Sequence, residues 1–198
     1  CNDVLSSHGY PVHPLPKYRY YVGRGFQKLV GDAMPVGEAA RLSSDDLSAL
    51  IAEARAQYGK NMCVRTKPYE GITKALLALA DQGHPLAVLS NKPDDLTVEL
   101  VRRYFPDVPF AQIRGGREGV PLKPEADAPL DMLRHMSVLP SASFYVGDSN
   151  VDIFTARNAG MTSIGVAWGF RGEEELRAAQ ADHVIETPEA LTRLAMEA

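Results

Sequence analysis

Hydrophobic and polar positions alternate in two different ways along the chain, and the change falls at about residue 67. Residues 1–66 carry apolar side chains at helical spacing, between breaks made by proline and glycine. The clearest helix begins near Ser43, where hydroxyl and acidic residues offer an N-cap, and we expect it to end before Gly59. Since no convincing strand occurs in this part, residues 1–66 are predicted to form a small all-helical lobe.

Beyond residue 67, short apolar runs alternate with helical segments. The predicted strands are 86–89, 110–113, 144–146, 162–166 and 184–185, and the predicted helices are 72–80, 93–105, 125–136, 151–159, 173–179 and a last one after 185. Strands joined by crossover helices pair in parallel, because each helix returns the chain to the same end of the sheet. Residues 67–198 are therefore predicted to form an α/β domain with an open, parallel, Rossmann-like sheet.

Composition narrows the class of protein. The 198 residues are 45% hydrophobic and 23% charged, which is typical of a soluble globule with one domain and a smaller lobe. A formal net charge of -4 gives no general attraction to nucleic acid or to anionic membranes, so an anionic substrate would need a local cationic site. Two cysteines cannot build a disulfide framework. We expect a cytoplasmic monomer or homodimer with no nucleic-acid or membrane partner.

The residues that directly follow the strands carry the candidate chemistry, because ligands of an open parallel sheet bind beyond the carboxyl ends of its strands. Ser90 follows the first predicted strand and Lys123 follows the loop after the second. Asp148 and Asp152 follow the third. Each residue also has an ordinary explanation as a strand-end cap, a solvated lysine, a turn residue or a helix N-terminal residue. Their joint placement at one edge is what favours a functional site.

The two carboxylates indicate a divalent-cation site. Asp148 and Asp152 would repel one another at close range unless a cation or a proton lay between them. With oxygen ligands only and no nearby His or Cys, the expected ion is Mg²⁺. A metal ion, a lysine and a hydroxyl donor together suit a phosphoryl group, whose charge must be neutralised during transfer.

At these residues the chain resembles the haloacid dehalogenase-like phosphatases, and within them the phosphoglycolate phosphatase-like group. The matching segments are LSNKP (89–93), Lys123-Pro124 and VGDSNVDIFTARNAG (146–160). The last segment is the most specific, because its paired aspartates and its terminal Ala-Gly both match the family's final acidic motif. The resemblance covers essentially the whole chain, and it implies that residues 1–66 are the family's cap, with 68–71 as the return hinge.

The resemblance also implies roles for the predicted catalytic residues. Ser90 would bind a phosphate oxygen, and Lys123 would neutralise the phosphoryl group. Asp148 would be the ligand of the Mg²⁺ cofactor, and Asp152 would steady the metal shell. The implied activity is Mg²⁺-dependent hydrolysis of a small phosphorylated metabolite, with 2-phosphoglycolate as the leading substrate.

Asn91 and Arg24 are the candidate substrate-binding residues. Asn91 is adjacent to Ser90, whereas Arg24 lies between two glycines of the predicted cap. Those glycines permit close approach of a ligand, and a guanidinium there can pair with the carboxylate of a small acid. A solvent-facing arginine in a helix break explains the same pattern equally well.

One part of the family's pattern has no counterpart. The resemblance implies an aspartate nucleophile in a DxDGT motif at the end of a first strand, and neither Asp3 nor Asp32 lies in such a context. We expect that strand to lie upstream of residue 1 and to be central in the sheet, between the strands of Ser90 and Asp148. Without it, backbone groups on both neighbouring strands would be unpaired. These 198 residues alone are then expected to have little or no hydrolase turnover.

Two kinds of alternative stay open. The same fold could perform a different reaction, as a sugar-phosphate mutase or as a haloacid dehalogenase, and a dehalogenase would not need the metal. The chain could instead be a catalytically dead homologue that binds phosphate without turnover. Activity in the presence of a chelator would favour the dehalogenase, and phosphate-analogue binding without hydrolysis would favour the dead homologue.

Overall fold

A computed structural model of the protein describes residues 1–197 and confirms the α/β class. The helices are α1 (Asn2–Ser7), α2 (Tyr18–Tyr21), α3 (Phe26–Ala33), α4 (Ser44–Asn61), α5 (Ile72–Asp81), α6 (Asp94–Tyr104), α7 (Asp127–Met136), α8 (Asn150–Ala159), α9 (Glu173–Ala178) and α10 (Pro188–Glu197). The strands are β1 (Leu86–Pro93), β2 (Phe110–Gly116), β3 (Phe144–Gly147), β4 (Thr162–Val166) and β5 (His183–Ile185). Among these helices, none is long and apolar enough to cross a bilayer.

The helices of the first 61 residues share an apolar core. Its buried members are Val4, Leu5, Val30, Ala33, Met34, Leu50 and Ala54. Ser43 caps α4 as predicted, because its side chain accepts a hydrogen bond from the backbone N–H of Asp46 at 3.1 Å. The predicted end of α4 at Gly59 is wrong, since the helix continues to Asn61. Gly59 faces the side chain of Leu96 in α6. A glycine inside a helix costs about 1 kcal/mol of stability, which is too little to end a helix that packs against another.

The parallel sheet consists of two separate pieces. β1 pairs with β2, and β4 lies between β3 and β5, with every pair parallel. Within residues 1–197, β1 and β3 do not pair with one another, so each has an edge without a neighbouring strand. The break falls where the resemblance places a further central strand, and that strand itself stays a prediction.

An apolar cavity of about 450 Å³ is bounded by both β1 and β3. Its lining includes Leu86, Val88 and Leu89 of β1, Phe144 and Val146 of β3, Leu76 and Leu79 of α5, Met132 and Leu133 of α7, and Leu191 of α10. Because a strand buried on both faces needs apolar surroundings, this space, which we call the strand gap, has the lining expected around a central strand of a parallel sheet.

β1 is longer than its apolar run predicted. It continues to Pro93 rather than ending at Leu89, because a register shift between these two residues keeps the chain beside β2, where Pro93 lies opposite Gly116. Pro93 is extended (ψ 141°) and precedes α6, so it is not the first helical residue as predicted. Ser90 and Asn91 are therefore held in an irregular strand segment rather than in a free loop.

Candidate active site

Lys123 and Asp152 form a buried ion pair where the strands end. The Lys123 Nζ lies 2.8 Å from Oδ1 of Asp152, and the two side chains are only 13% and 9% exposed. The same Nζ lies 3.4 Å from the carbonyl oxygen of Leu89, the residue before Ser90. The ammonium therefore lies between the end of the β1 apolar run and the first turn of α8, at the carboxyl end of the strand gap.

Asp152 also fixes the turn that leads into α8. Its Oδ2 accepts hydrogen bonds from the Ser149 hydroxyl at 2.7 Å, the Ser149 N–H at 3.1 Å and the Asp148 N–H at 3.2 Å. Together with the bond from the N3 backbone to Ser149, this is a capping box. Both carboxylate oxygens of Asp152 are thus used within the protein, one by Lys123 and one by the turn.

Burial and charge act in opposite directions on this pair. Burial alone would lower the pKa of the Lys123 ammonium, but the neighbouring Tyr145 and Asp152 outweigh burial and raise that pKa above its usual value. Burial also opposes ionisation of Asp152, yet Lys123 and the Ser149 hydrogen bonds hold the pKa of that carboxyl below its usual value. Both groups are therefore charged at neutral pH.

Tyr145 lies beside Lys123 as well, although the sequence did not predict it as part of the site. Its ring centre lies 5.9 Å from the Lys123 Nζ, and burial raises the pKa of its phenol to about 12. The phenol is therefore neutral at neutral pH. Because Tyr145 lies inside the apolar run that predicted β3, only its inward direction in the structure distinguishes it from a packing residue.

Asp148 and Asp152 have different hydrogen-bond partners. Its Oδ2 accepts a hydrogen bond from the backbone N–H of Phe170 at 2.7 Å, and a Cβ on Gly169 would overlap its side chain. Asp152 thus contacts Lys123 and the turn before α8, whereas Asp148 contacts the loop after β4, and close pairing of the two carboxylates stays a prediction. Gly169 and Phe170 were not identified from the sequence, although their position directly after a strand was a signal that could have found them.

Ser90 has a hydroxyl proton available for a ligand. Its Oγ accepts a hydrogen bond from the backbone N–H of Lys92 at 3.1 Å. This bond fixes the oxygen and leaves the O–H free to donate. The structure brings Lys123 to 2.8 Å from Asp152 and to 3.4 Å from the carbonyl oxygen that precedes Ser90, while the joint role of these residues and Asp148 stays a prediction.

The Asn91 side chain hydrogen-bonds to backbone groups of two other segments. Its side chain is buried and 7% exposed. The amide Nδ2 donates to the carbonyl oxygens of Gly23 at 2.8 Å and Lys123 at 2.9 Å, while Oδ1 accepts from the Lys123 N–H at 2.8 Å. Both amide N–H donors have protein acceptors, and a role of Asn91 in binding substrate stays a prediction.

Arg24 lies apart from this group. Its guanidinium, which is 50% exposed, donates to Oδ2 of Asp32 at 3.1 Å, and Lys28 donates to the other oxygen of that carboxylate at 2.6 Å. Arg24 lines a second cavity of about 640 Å³ between the helical lobe and the carboxyl ends of β1 and β2. A role of Arg24 in binding a substrate carboxylate stays a prediction.

Among the residues of this site, one side chain is suited to bind a divalent metal ion. No group of three or more His, Cys, Asp or Glu side chains in the described part of the chain could hold a metal ion. Mg²⁺ commonly takes one or two carboxylates, keeps several waters and binds substrate phosphate. Asp148, with one oxygen not used by Phe170, fits that requirement. Asp152 does not, because Lys123 and Ser149 occupy both of its oxygens.

An α/β fold with a helical lobe, and a serine, a lysine–aspartate pair and a second aspartate at its strand ends, defines a hydrolase of the phosphatase type. The sequence pattern described as "Haloacid dehalogenase-like hydrolase" matches residues 18–166, so the chain belongs to that family. This match confirms the resemblance of the sequence to that family.

Individual relatives agree with this membership. A phosphoglycolate phosphatase of Xylella fastidiosa (strain Temecula1) is 30% identical over 194 residues, covering 98% of this chain and 82% of the relative. A phosphoglycolate phosphatase of Mannheimia succiniciproducens is 27% identical over 189 residues, covering 93% of this chain and 84% of the relative. A solved structure from Lactobacillus delbrueckii subsp. bulgaricus has a TM-score of 0.86 at 25% identity, covering 98% of this chain and 88% of that one.

Proposed function

We propose that this protein hydrolyses a small phosphomonoester and that 2-phosphoglycolate is its leading substrate. The buried Lys123 ammonium carries the proposal. A buried charge is unfavourable unless it is paired, and of the three donors of Nζ one goes to Asp152 while another makes only a long contact of 3.4 Å with the Leu89 carbonyl. A phosphoryl dianion bound where these groups meet would take up this weakly held donor and give the ammonium charge a second partner. The names of the relatives support the choice of substrate.

Each residue then has a distinct task. Ser90 donates a hydrogen bond to one phosphoryl oxygen, and Lys123 neutralises charge on another. Asp152 orients Lys123 and the turn that carries Asp148. Asp148 would hold Mg²⁺, which supplies positive charge to the phosphoryl oxygens when it is bound. Such positioning and electrostatic stabilisation are the main contributions of a protein to phosphoryl transfer.

The attacking carboxylate would stand at the end of a strand in the strand gap. Lys123 approaches both Leu89 at the end of the β1 apolar run and Asp152 just beyond β3, so the two strands end at the same place. A strand parallel to both would bring its own carboxyl end there. We propose that this strand carries the DxDGT motif which the family resemblance implies.

The reaction would proceed in two displacements. In the first, an oxygen of the first DxDGT aspartate bonds to phosphorus, the ester P–O bond breaks, and the leaving alcohol takes a proton from the second aspartate. In the second, water attacks the aspartyl phosphate, passes a proton to the second aspartate and releases inorganic phosphate. In that second step the P–O bond to the first aspartate breaks, so the first aspartate returns to its carboxylate form and the second to its protonated form for the next turnover.

A phosphate-release assay on two polypeptides tests this proposal. One is the gene product read from its start codon, and the other is residues 1–198. We expect the first to release phosphate from 2-phosphoglycolate only with Mg²⁺, and to lose this activity in EDTA. The second is expected to be nearly inactive, because it contains no carboxylate in the strand gap.

The remaining outcomes separate the alternatives. Release of halide from a 2-haloacid in EDTA would support a dehalogenase, and isomerisation of a sugar phosphate without phosphate release would support a mutase. Binding of phosphate by the gene product with no turnover on any ester would indicate a dead homologue. Equal turnover by the two polypeptides would contradict the gap strand as the source of the nucleophile and leave the phosphatase assignment intact.

A further inference from the structure

Asn91 joins the helical lobe to the backbone on both sides of Lys123. Its buried amide accepts from the Lys123 N–H and donates to the Lys123 carbonyl, so it holds this residue as a neighbouring strand would. Its second amide proton goes to the carbonyl of Gly23, 68 positions earlier in the chain. One side chain thus contacts both the lobe and the residue that forms the ion pair with Asp152.

A second contact connects the same two segments. A Cβ on Gly25 would lie 2.8 Å from Cδ1 of Leu122, the residue that precedes Lys123, and 3.9 Å from the carbonyl oxygen of Asn91. The lobe turn 23–25 therefore packs directly on the Lys123 segment, and the backbone of Gly25, with φ 86°, has a conformation that favours glycine. The turn touches this segment through a hydrogen bond and, independently, through packing.

The residues that follow Asn91 also contact the lobe. The Lys92 ammonium donates to the Tyr58 hydroxyl and lies 4.4 Å from the centre of the Tyr58 ring. Asp95 accepts from Arg55 at 2.7 Å in an exposed ion pair. The lobe thus rests on segment 91–95, directly after Ser90, and the Asn91 contact is the buried one that also reaches Lys123.

We propose that Asn91 is a positioning residue that couples the seating of the helical lobe to the placement of Lys123. When the turn 23–25 leaves, one donor of a buried amide loses its acceptor, and this loss disfavours the unseated state. By linkage, a ligand that orders Lys123 must favour the seated lobe to the same extent that the seated lobe favours the ligand. The inference rests on the proposed function only in taking Lys123 as the phosphate-binding group.

The test measures lobe position and phosphate binding together in the gene product read from its start codon. Spin labels are placed at the exposed positions Val36→Cys in the lobe and Leu139→Cys in the sheet domain, with both native cysteines changed to serine. Inorganic phosphate with Mg²⁺ is the ligand. We expect it to narrow the distribution of label distances and to bind with an affinity that calorimetry can measure.

The decisive variant is Asn91→Asp, which keeps the shape and the acceptor, removes both donors and adds a negative charge, so the label distances of the phosphate-free protein are read first. We expect it to broaden the label distances, to abolish their response to phosphate, and to weaken phosphate binding by about 5- to 150-fold, the usual range for coupling between sites. The matched control is Arg55→Ala, which breaks a lobe contact that does not involve Lys123 and should leave the response and the affinity unchanged.

If Asn91 had only a structural role, Asn91→Asp would lower the melting temperature without changing how the label distances respond to phosphate. Wild-type affinity and a wild-type label response in Asn91→Asp would overturn the inference. Should that variant fail to fold, Gly25→Ala decides, because it pushes on Leu122 from the lobe side and is expected to act in the same direction. If the wild-type protein binds no phosphate, the proposed function fails, but the label distances of the free protein still test the link between Asn91 and the lobe.

Discussion

Replacing Asp152 by alanine is expected to lower the free energy of unfolding by about 3–5 kcal/mol, because the substitution leaves the buried Lys123 ammonium without its partner. The double variant Lys123→Met/Asp152→Leu should recover most of that loss, since an apolar pair of similar volume avoids burying an unpaired charge. Urea unfolding followed by circular dichroism measures all of these differences.

Asp46→Ala is the matched control for the capping role of Asp152. Asp46 lies at the third position of α4 and bonds its capping serine at 2.7 Å, but it contacts no buried lysine. Loss of a helix-capping contact costs about 1 kcal/mol. A loss in Asp152→Ala no larger than that in Asp46→Ala would show that the pair with Lys123 contributes nothing to stability.

The Lys123–Asp152 ion pair also makes the stability effect of Asp152→Ala depend on pH. The Asp152 pKa is lowered in the folded protein, so its contribution is complete above its ordinary value of 3.8 and is lost as pH falls through the lowered value. The Lys123 pKa is raised, so its contribution is complete below 10.5 and is lost as pH rises through the raised value. The stability difference between wild type and Asp152→Ala should therefore be largest between these limits and shrink in acid.

Replacing Asp148 by asparagine is expected to lower the turnover of the gene product on 2-phosphoglycolate by about 10³-fold, a typical loss when one electrostatic contact to the transition state is removed. Asparagine retains an oxygen for the Phe170 N–H but lacks the negative charge that would hold Mg²⁺. Steady-state phosphate release, measured at increasing Mg²⁺, gives both the rate and the metal dependence.

Asp182→Asn is the matched control for this change. Asp182 also accepts a backbone hydrogen bond, from the Ser163 N–H at 2.8 Å, but it lies beside β5 rather than at the candidate site. It should retain its turnover. Similar rates for the Asp148 and Asp182 variants would mean that the charge of Asp148 has no part in the reaction.

The sequence predicted best where one local signal decided the structure. The period of the apolar positions predicted each strand and α-helix of residues 72–197, and the strand-end rule put Lys123 and Asp152 at the same edge before their contact was known. It predicted less well where packing overrode local preference. Gly59 stays inside α4 because of its contact with Leu96, and β1 runs past Leu89 because β2 supports it.

The roles that the sequence did not predict depend on contacts between distant residues. Nothing in the segment LSNKP indicates that the Asn91 amide is used by Gly23 and Lys123, because those bonds span 68 and 32 positions. Nor does the composition of the third strand indicate that Tyr145 lies beside the Lys123 ammonium. Such contacts follow from the three-dimensional arrangement of strands and lobe, which a one-dimensional pattern does not contain.

The three bonds of the Asn91 amide also limit how the molecule can be divided. An isolated fragment 67–198 would retain Ser90 and both members of the Lys123–Asp152 ion pair. The buried ammonium would therefore keep its counter-charge. The fragment would lack the main-chain acceptor that Gly23 provides, and a proton of an interior amide would have to find water instead. The lobe is therefore a structural complement of the sheet domain, and cutting the chain between α4 and α5 would remove one partner from the group that holds Lys123 in place.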